Sequence, residues 1–240
     1  MKARFLTAEW RHLVMLNFPI DPRALEPHTP RGTELDLWNG TTFVSLVGFR
    51  FLNTRVKGMP IPLHRNFDEI NLRFYVRARG PEGWRRGVVF VREVVPLRAI
   101  ALVARWLYNE NYVACPTRSI VREPIGEAPG RVEYSWKHED EWLTLGAGFR
   151  NAPTLPAEDS EEEFITEHYW GYSRQPSDNS VEYRVEHPHW RVWPASDTSM
   201  AGDFAGFYGR EFGQALSSAP SSTFVAEGSP VVVRHGAPLL

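Results

Sequence analysis

The sequence predicts an α+β fold, predominantly antiparallel β, formed as a single domain over residues 1–240. Three observations carry this. Strand-like apolar runs recur between Gly/Pro punctuation along the whole chain. Phe67 to Arg77 alternates strictly, with Ile70, Leu72, Phe74 and Val76 on one face and Glu69, Asn71, Arg73 and Tyr75 on the other. Helical patterns are few and short. At 240 residues, 42% hydrophobic and 23% charged, the chain has a globular balance and enough length to bury a sizeable core.

Taken in order, Arg11 to Phe18 reads as the first strand. Asp21-Pro22 then opens a short helix, with Asp as N-cap and Pro at the first helical position. Thr42 to Leu52 is almost continuously apolar, as a strand covered on both faces requires. Thr54 to Arg65, carrying Pro60 and Pro62, is long for a hairpin loop and is expected to form a lid. After the alternating strand, Gly87 to Val95 is a second doubly buried run, interrupted by Arg92 and Glu93. Ile100 to Tyr108 fits helix or strand on pattern, and its alanines and Arg105-Trp106 end favour helix. Further strands are expected at Val132–Trp136, Trp142–Phe149, Val181–Glu186, Trp190–Trp193 and Val231–Arg234. Pro153 to Glu163 is an acidic loop leading into a helix, and Gly202 to Leu216 reads as a late helix.

Composition excludes several classes of function. A net charge of −2 and a pI near 6.5 leave no electrostatic footprint for nucleic acid or anionic membrane. Met1 to Ile20 carries Arg4, Glu9, Arg11 and His12, so it fits neither a signal peptide nor a membrane span, and a cytoplasmic location is expected. The one cysteine, Cys115, excludes an intramolecular disulfide and a Cys-based zinc cluster. There is no Gly-x-Ser-x-Gly elbow, phosphate-binding glycine loop or His-Glu-x-x-His, and Gly146-Ala147-Gly148 is too short for a dinucleotide fingerprint. No cofactor and no metal are expected. His187-Pro188-His189, with His168, lacks a metal-ligand spacing and is read as packing and hydrogen bonding.

Three regions resemble the acetoacetate-decarboxylase-like superfamily: Arg11–Phe18 with Asp21–Leu25, Phe67-Asp68-Glu69-Ile70, and Ala99–Arg118. Within it the chain is most similar to the YqjF-like group, a family described only as a domain of unknown function. That likeness runs through nearly the whole chain, including Phe5–Arg11, Val44–Phe49, His64–Phe67, Asn71–Arg77 and Glu167–Tyr172. The resemblance implies a cone-shaped β-barrel around an interior pocket, with a few peripheral helices. It matches Arg11 to an arginine that meets the substrate carboxylate and Glu69 to an active-site glutamate. The second catalytic carboxylate falls near Val47, which is apolar. The superfamily's Schiff-base lysine is replaced by Thr117, beside Arg118. A threonine cannot condense with a ketone, so decarboxylation through an imine is not expected. Of the 27 basic residues, only Lys2, Lys57 and Lys137 are lysines, none in a promising context.

Glu69, Asn71 and Arg73 share one strand face. That face is a solvated ion-pair surface in an open sheet, but a ligand site in a closed barrel. Arg50 and Arg92 interrupt apolar strands, and a buried guanidinium needs a carboxylate or a ligand anion. His64-Arg65-Asn66, at the end of the lid, caps the strand entry through Asn66 or lines a pocket mouth. Tyr112, with Tyr108, Trp170 and Tyr172, can shape an apolar wall. Cys115 reads as a small core residue, since no motif supplies a base to activate it. The resulting expectation is a protein that binds a small, anionic ligand. Glu69 is the candidate catalytic group, and Arg11, Arg50, His64, Asn71, Arg73, Arg92, Tyr112, Thr117 and Arg118 are the candidate binding groups. Two alternatives stay open: an enzyme using Glu69 as general acid/base, and a structural or interaction protein with a filled barrel.

Overall fold

The computed structural model describes residues 3–60, 65–96 and 111–239. The expected helix at Ile100–Tyr108 and the candidate residue His64 lie outside the described residues.

The first strand, β1 (Arg4–Ile20), leads through α1 (Pro22–Leu25) to β2 (Thr33–Leu35) and β3 (Thr42–Val56). The Asp21 carboxylate caps α1 by accepting from the Arg23 N–H at 2.9 Å, with Pro22 in the first turn as expected. Next come β4 (Met59–Pro60), β5 (Phe67–Gly80), β6 (Gly83–Val95), β7 (Tyr112–Ala114), β8 (Thr117–Arg122), β9 (Gly130–His138) and β10 (Glu141–Phe149). Helix α2 (Glu161–Thr166) precedes β11 (Trp170–Arg174), β12 (Ser180–Glu186) and β13 (Val192–Ala201). Two short helices, α3 (Phe204–Tyr208) and α4 (Arg210–Leu216), lead to β14 (Ser222–Arg234) and β15 (Ala237–Pro238).

Hydrogen-bonded neighbours run β12-β11-β6-β5-β3-β1-β14, and β14 pairs back onto β12, so these seven strands form a ring. Every step is antiparallel except β11 on β6. From β14 the sheet also continues through β13 to β10, β9 and β8, which cover one side of the ring as a second layer.

Two apolar clusters follow from the strand alternation. Ile70, Leu72, Phe74, Val44 and Leu46 pack outward against Tyr134, Trp136, Leu145 and Phe149 of the second layer and Phe207, Phe212 and Leu216 of the late helices. The cover on this side is thus largely sheet, with the late helices beside it. Met15, Val47, Phe49, Phe51, Tyr75, Val88 and Phe224 form the other cluster, together with Phe164 and Ile165 of α2. This is the ring's inner side.

Two expectations change. The Gly202–Leu216 helix is two helices, because Gly209 at φ +94° breaks the run. The start of the expected lid is a tight hairpin: Met59 and Pro60 pair with Val56 and Arg55 across Lys57-Gly58.

Candidate functional site

Strand β5 brings a polar stripe to the inner side of the ring. Glu69, Asn71 and Arg73 are all buried, at 3%, 1% and 8% exposure. Asn71 donates to Glu69 Oε1 at 3.2 Å, and the Tyr112 hydroxyl donates to Glu69 Oε2 at 3.3 Å. Tyr112 also hydrogen-bonds Glu93, which stands opposite Asn71 on β6 and is itself buried. Burial pushes the Glu69 carboxyl up to about 8, against the opposing hydrogen bonds of Asn71 and Tyr112 and the charge of Arg73. Glu69 is therefore a carboxylic acid near neutral pH rather than a carboxylate.

Arg73 lies further along the stripe. Its Nη2 reaches the Ile165 carbonyl at 3.4 Å and Met15 Sδ at 4.0 Å, and its guanidinium sits 5.7 Å from the Tyr75 ring centre. Nε has no partner among the described residues, nor does Asn71 Oδ1. Beyond Arg73, the Tyr75 hydroxyl lies 2.6 Å from Ser45 Oγ, which donates to Asn17 Oδ1 at 2.6 Å.

The other candidates stand elsewhere. Arg11 donates to Glu9 Oε2 at 2.9 Å and to the Gly228 carbonyl at 3.3 Å, so it is held at the β1–β14 edge and apart from Glu69. Arg50 faces Asp68, 3.6 Å away, on the outward side of the ring. Arg92 packs over the Phe207 ring of α3 and hydrogen-bonds its carbonyl. Arg118 is exposed on β8, 4.2 Å above Trp142, and Thr117 beside it pairs with Trp136 in the second layer. Trp170 and Tyr172 belong to the outward cluster. Cys115 is half-buried against that cluster, and burial raises its thiol pKa, which keeps it protonated. Strand alternation thus groups Glu69, Asn71 and Arg73, while the remaining arginines are drawn off by partners that local pattern does not show.

Two groups escape the sequence reading. Glu93 was seen only as an interruption of an apolar run. Its sequence signal is the β6 position that, in register with Asn71, points it inward. The second is a buried trio: His168 Nε2 lies 3.3 Å from Asp36 Oδ2, to which Arg86 Nε donates at 2.6 Å. The His168 ring packs on Tyr75 at 4.6 Å and edge-on to Phe164 at 5.2 Å. Burial drives its pKa down to about 4, so it is neutral at physiological pH. His187 stacks between Tyr169 and Trp190, and His189 faces Glu167 at 3.4 Å. Among the described residues no three His, Cys, Asp or Glu side chains group as metal ligands, and no helix is long and apolar enough to cross a membrane.

Comparison with known proteins fits this architecture. The family of uncharacterized conserved proteins DUF2071 matches residues 7–230. The chain belongs to that family. It is 29% identical over 184 residues to the uncharacterized protein YqjF of Bacillus subtilis, which covers 75% of this chain and 71% of the relative. Among solved structures, acetoacetate decarboxylase from Legionella pneumophila superposes with a TM-score of 0.70 at 11% identity, covering 99% of this chain and 88% of that one. The enduracididine biosynthesis enzyme MppR complexed with pyruvate gives 0.69 at 14% identity, covering 100% and 91%. These likenesses show that the DUF2071 chain has an acetoacetate-decarboxylase-like fold.

Proposed function

We propose that the inner side of the ring, taken as a cone-shaped barrel, binds a small carboxylate, with Arg73 receiving it. One observation carries the reading. Arg73 is nearly excluded from solvent, its Nε is unbonded, and no carboxylate pairs with it among the described residues. An uncompensated guanidinium in such a setting costs several kcal/mol, and a bidentate carboxylate removes that cost. Glu69 does not compensate Arg73, because its raised pKa leaves it neutral. That MppR is known with pyruvate bound shows that a related fold holds a small acid, which supports the reading. The near-neutral net charge supports a protein with neither nucleic acid nor an anionic membrane as partner.

A thermal-shift screen of short carboxylic acids beside their amides and alcohols tests this. The acids should stabilise the protein and the uncharged analogues should not. Arg73→Gln should weaken acid binding by about 1.5–3 kcal/mol. Equal stabilisation by amides, or an undiminished response in the variant, removes the reading.

A second reading is favoured by Glu69 itself. A protonated carboxyl held between Asn71 and Tyr112, with Glu93 on the far side of that phenol, is suited to general acid/base catalysis on the bound acid. Imine chemistry is not part of this proposal. Lys57 is exposed at a turn and Lys137 faces Asp140, 3.8 Å away. Borohydride treatment with acetoacetate should therefore leave the mass of the protein unchanged, and a stoichiometric adduct would falsify this point.

A further inference from the structure

The polar groups around Arg73 restrict its ligand more than charge alone does. Asn71 Oδ1 and His168 Nδ1 are among the buried acceptors that lack partners among the described residues. Asn71 is two residues before Arg73 on the same face of β5. His168 is near Arg73: both pack on the ring of Tyr75, two residues after Arg73, and the Arg73 charge helps hold the imidazole neutral. The helix whose Ile165 carbonyl meets Arg73 also leads, three residues later, into His168.

The Asp36 carboxylate settles what His168 presents. It accepts from Arg86 Nε at 2.6 Å and lies 3.3 Å from His168 Nε2. A carboxylate only accepts, so Nε2 carries the imidazole proton and Nδ1 is left with a lone pair. That lone pair is inside the protein, with the His168 side chain 1% exposed. Asp36 is accordingly a positioning residue that fixes the tautomer.

A plain or keto carboxylate would satisfy Arg73 and leave His168 Nδ1 unpaired, which is costly in a buried site. We infer that the ligand carries a hydrogen-bond donor beside its carboxylate, a hydroxy acid rather than a keto acid, and that His168 Nδ1 accepts from that hydroxyl. This inference rests on the carboxylate reading above and narrows it.

The test compares matched sets by titration calorimetry: lactate, pyruvate and propionate, then 3-hydroxybutyrate, acetoacetate and butyrate. In at least one set the hydroxy acid should bind tenfold or more tightly than its keto and unsubstituted partners. His168→Phe should erase that lead while leaving the unsubstituted acid's affinity in place, and Arg73→Gln should weaken all three. Nitrogen-15 NMR of the wild-type protein supplies a measurement that needs no variant to fold: His168 should be protonated at Nε2. Acids that bind through Arg73 with no preference for the hydroxyl would overturn this inference and leave the carboxylate reading standing. So would a lead that survives in His168→Phe, or a proton found on Nδ1. If none of the six acids binds, both fall together.

Discussion

Glu69 and His168 are both buried in their uncharged forms, and they tilt stability in opposite directions with pH. The Glu69 pKa stands at about 8 in the folded protein against an ordinary 4.5. Between those values the folded chain holds a proton that the unfolded chain has lost, so stability falls as pH rises through that range. His168 stands at about 4 against an ordinary 6.5. Here the unfolded chain gains a proton that the folded one refuses, so stability falls as pH drops from 6.5 toward 4. Each slope is at most about 1.4 kcal/mol per pH unit. The two oppose each other between 4.5 and 6.5, and above 6.5 the Glu69 slope acts alone. Urea denaturation followed across pH should show a wild-type decline from 6.5 to 8. Glu69→Gln should abolish that decline and uncover a rise between 4.5 and 6.5. A wild type that gains stability steadily up to pH 8 would mean that Glu69 is ionised in the fold.

At the scale of elements, the two layers come into close contact where β3 crosses β9. A Cβ on Gly48 would stand 2.6 Å from Tyr134 Cδ2 and 3.1 Å from Tyr134 Cβ. The tyrosine cannot swing aside, because it is fully buried and its hydroxyl donates to the His12 carbonyl at 3.0 Å. Gly48→Ala should therefore cost about 1–3 kcal/mol, the usual penalty of overpacking, read as a lower urea midpoint. An unchanged midpoint would show that the layers can part at no cost. Much of this element level was legible in the sequence. The period of two in Phe67–Arg77 marked the strand and its two faces, the resemblance to a barrel family turned the polar face inward, and Asp21-Pro22 marked the α1 cap. Other features depend on contacts distant in sequence. β1 was foreseen only from Arg11, because its bulge at His12, where φ is +56°, reverses the alternation that a pattern search follows. Likewise, Arg11 reads as a free cation until Glu9 is seen folded onto it. The Asp36–His168 pair spans 132 residues of chain, so the hydrogen bonding expected of His168 has a partner that no local pattern shows.

For the molecule as a whole, the ring is unevenly closed. β1 is bonded along most of its length to β3 on one side and β14 on the other. The β11–β12 hairpin, in contrast, pairs with β6 at Trp170↔Gly87 and Gly171↔Val88 and with β14 at Val185↔Val233 and Glu186↔Val232 among the described residues, and Arg85 of β6 also pairs with Glu182 of β12 at 2.6 Å. A small cluster of Phe5, Tyr183, Val185 and Val233, with the Arg234–Glu186 ion pair at 2.8 Å, supports the second seam. Elements with short ladders to their neighbours open at lower free energy than strands paired along their length. Native-state hydrogen exchange should then show β11 and β12 exchanging together, ahead of β1, β3 and β5. Val185→Ala should lower the hairpin's opening free energy by about 1–2 kcal/mol while moving the β1 amides less. His168 lies two residues before β11, so the seam that opens most readily borders the proposed ligand site. A bound acid should consequently slow exchange in β11 and β12 more than elsewhere, because a ligand adds its binding free energy to whichever opening would release it. Slowing spread evenly over the ring, or confined to β1 and β3, would separate the ligand site from this hairpin.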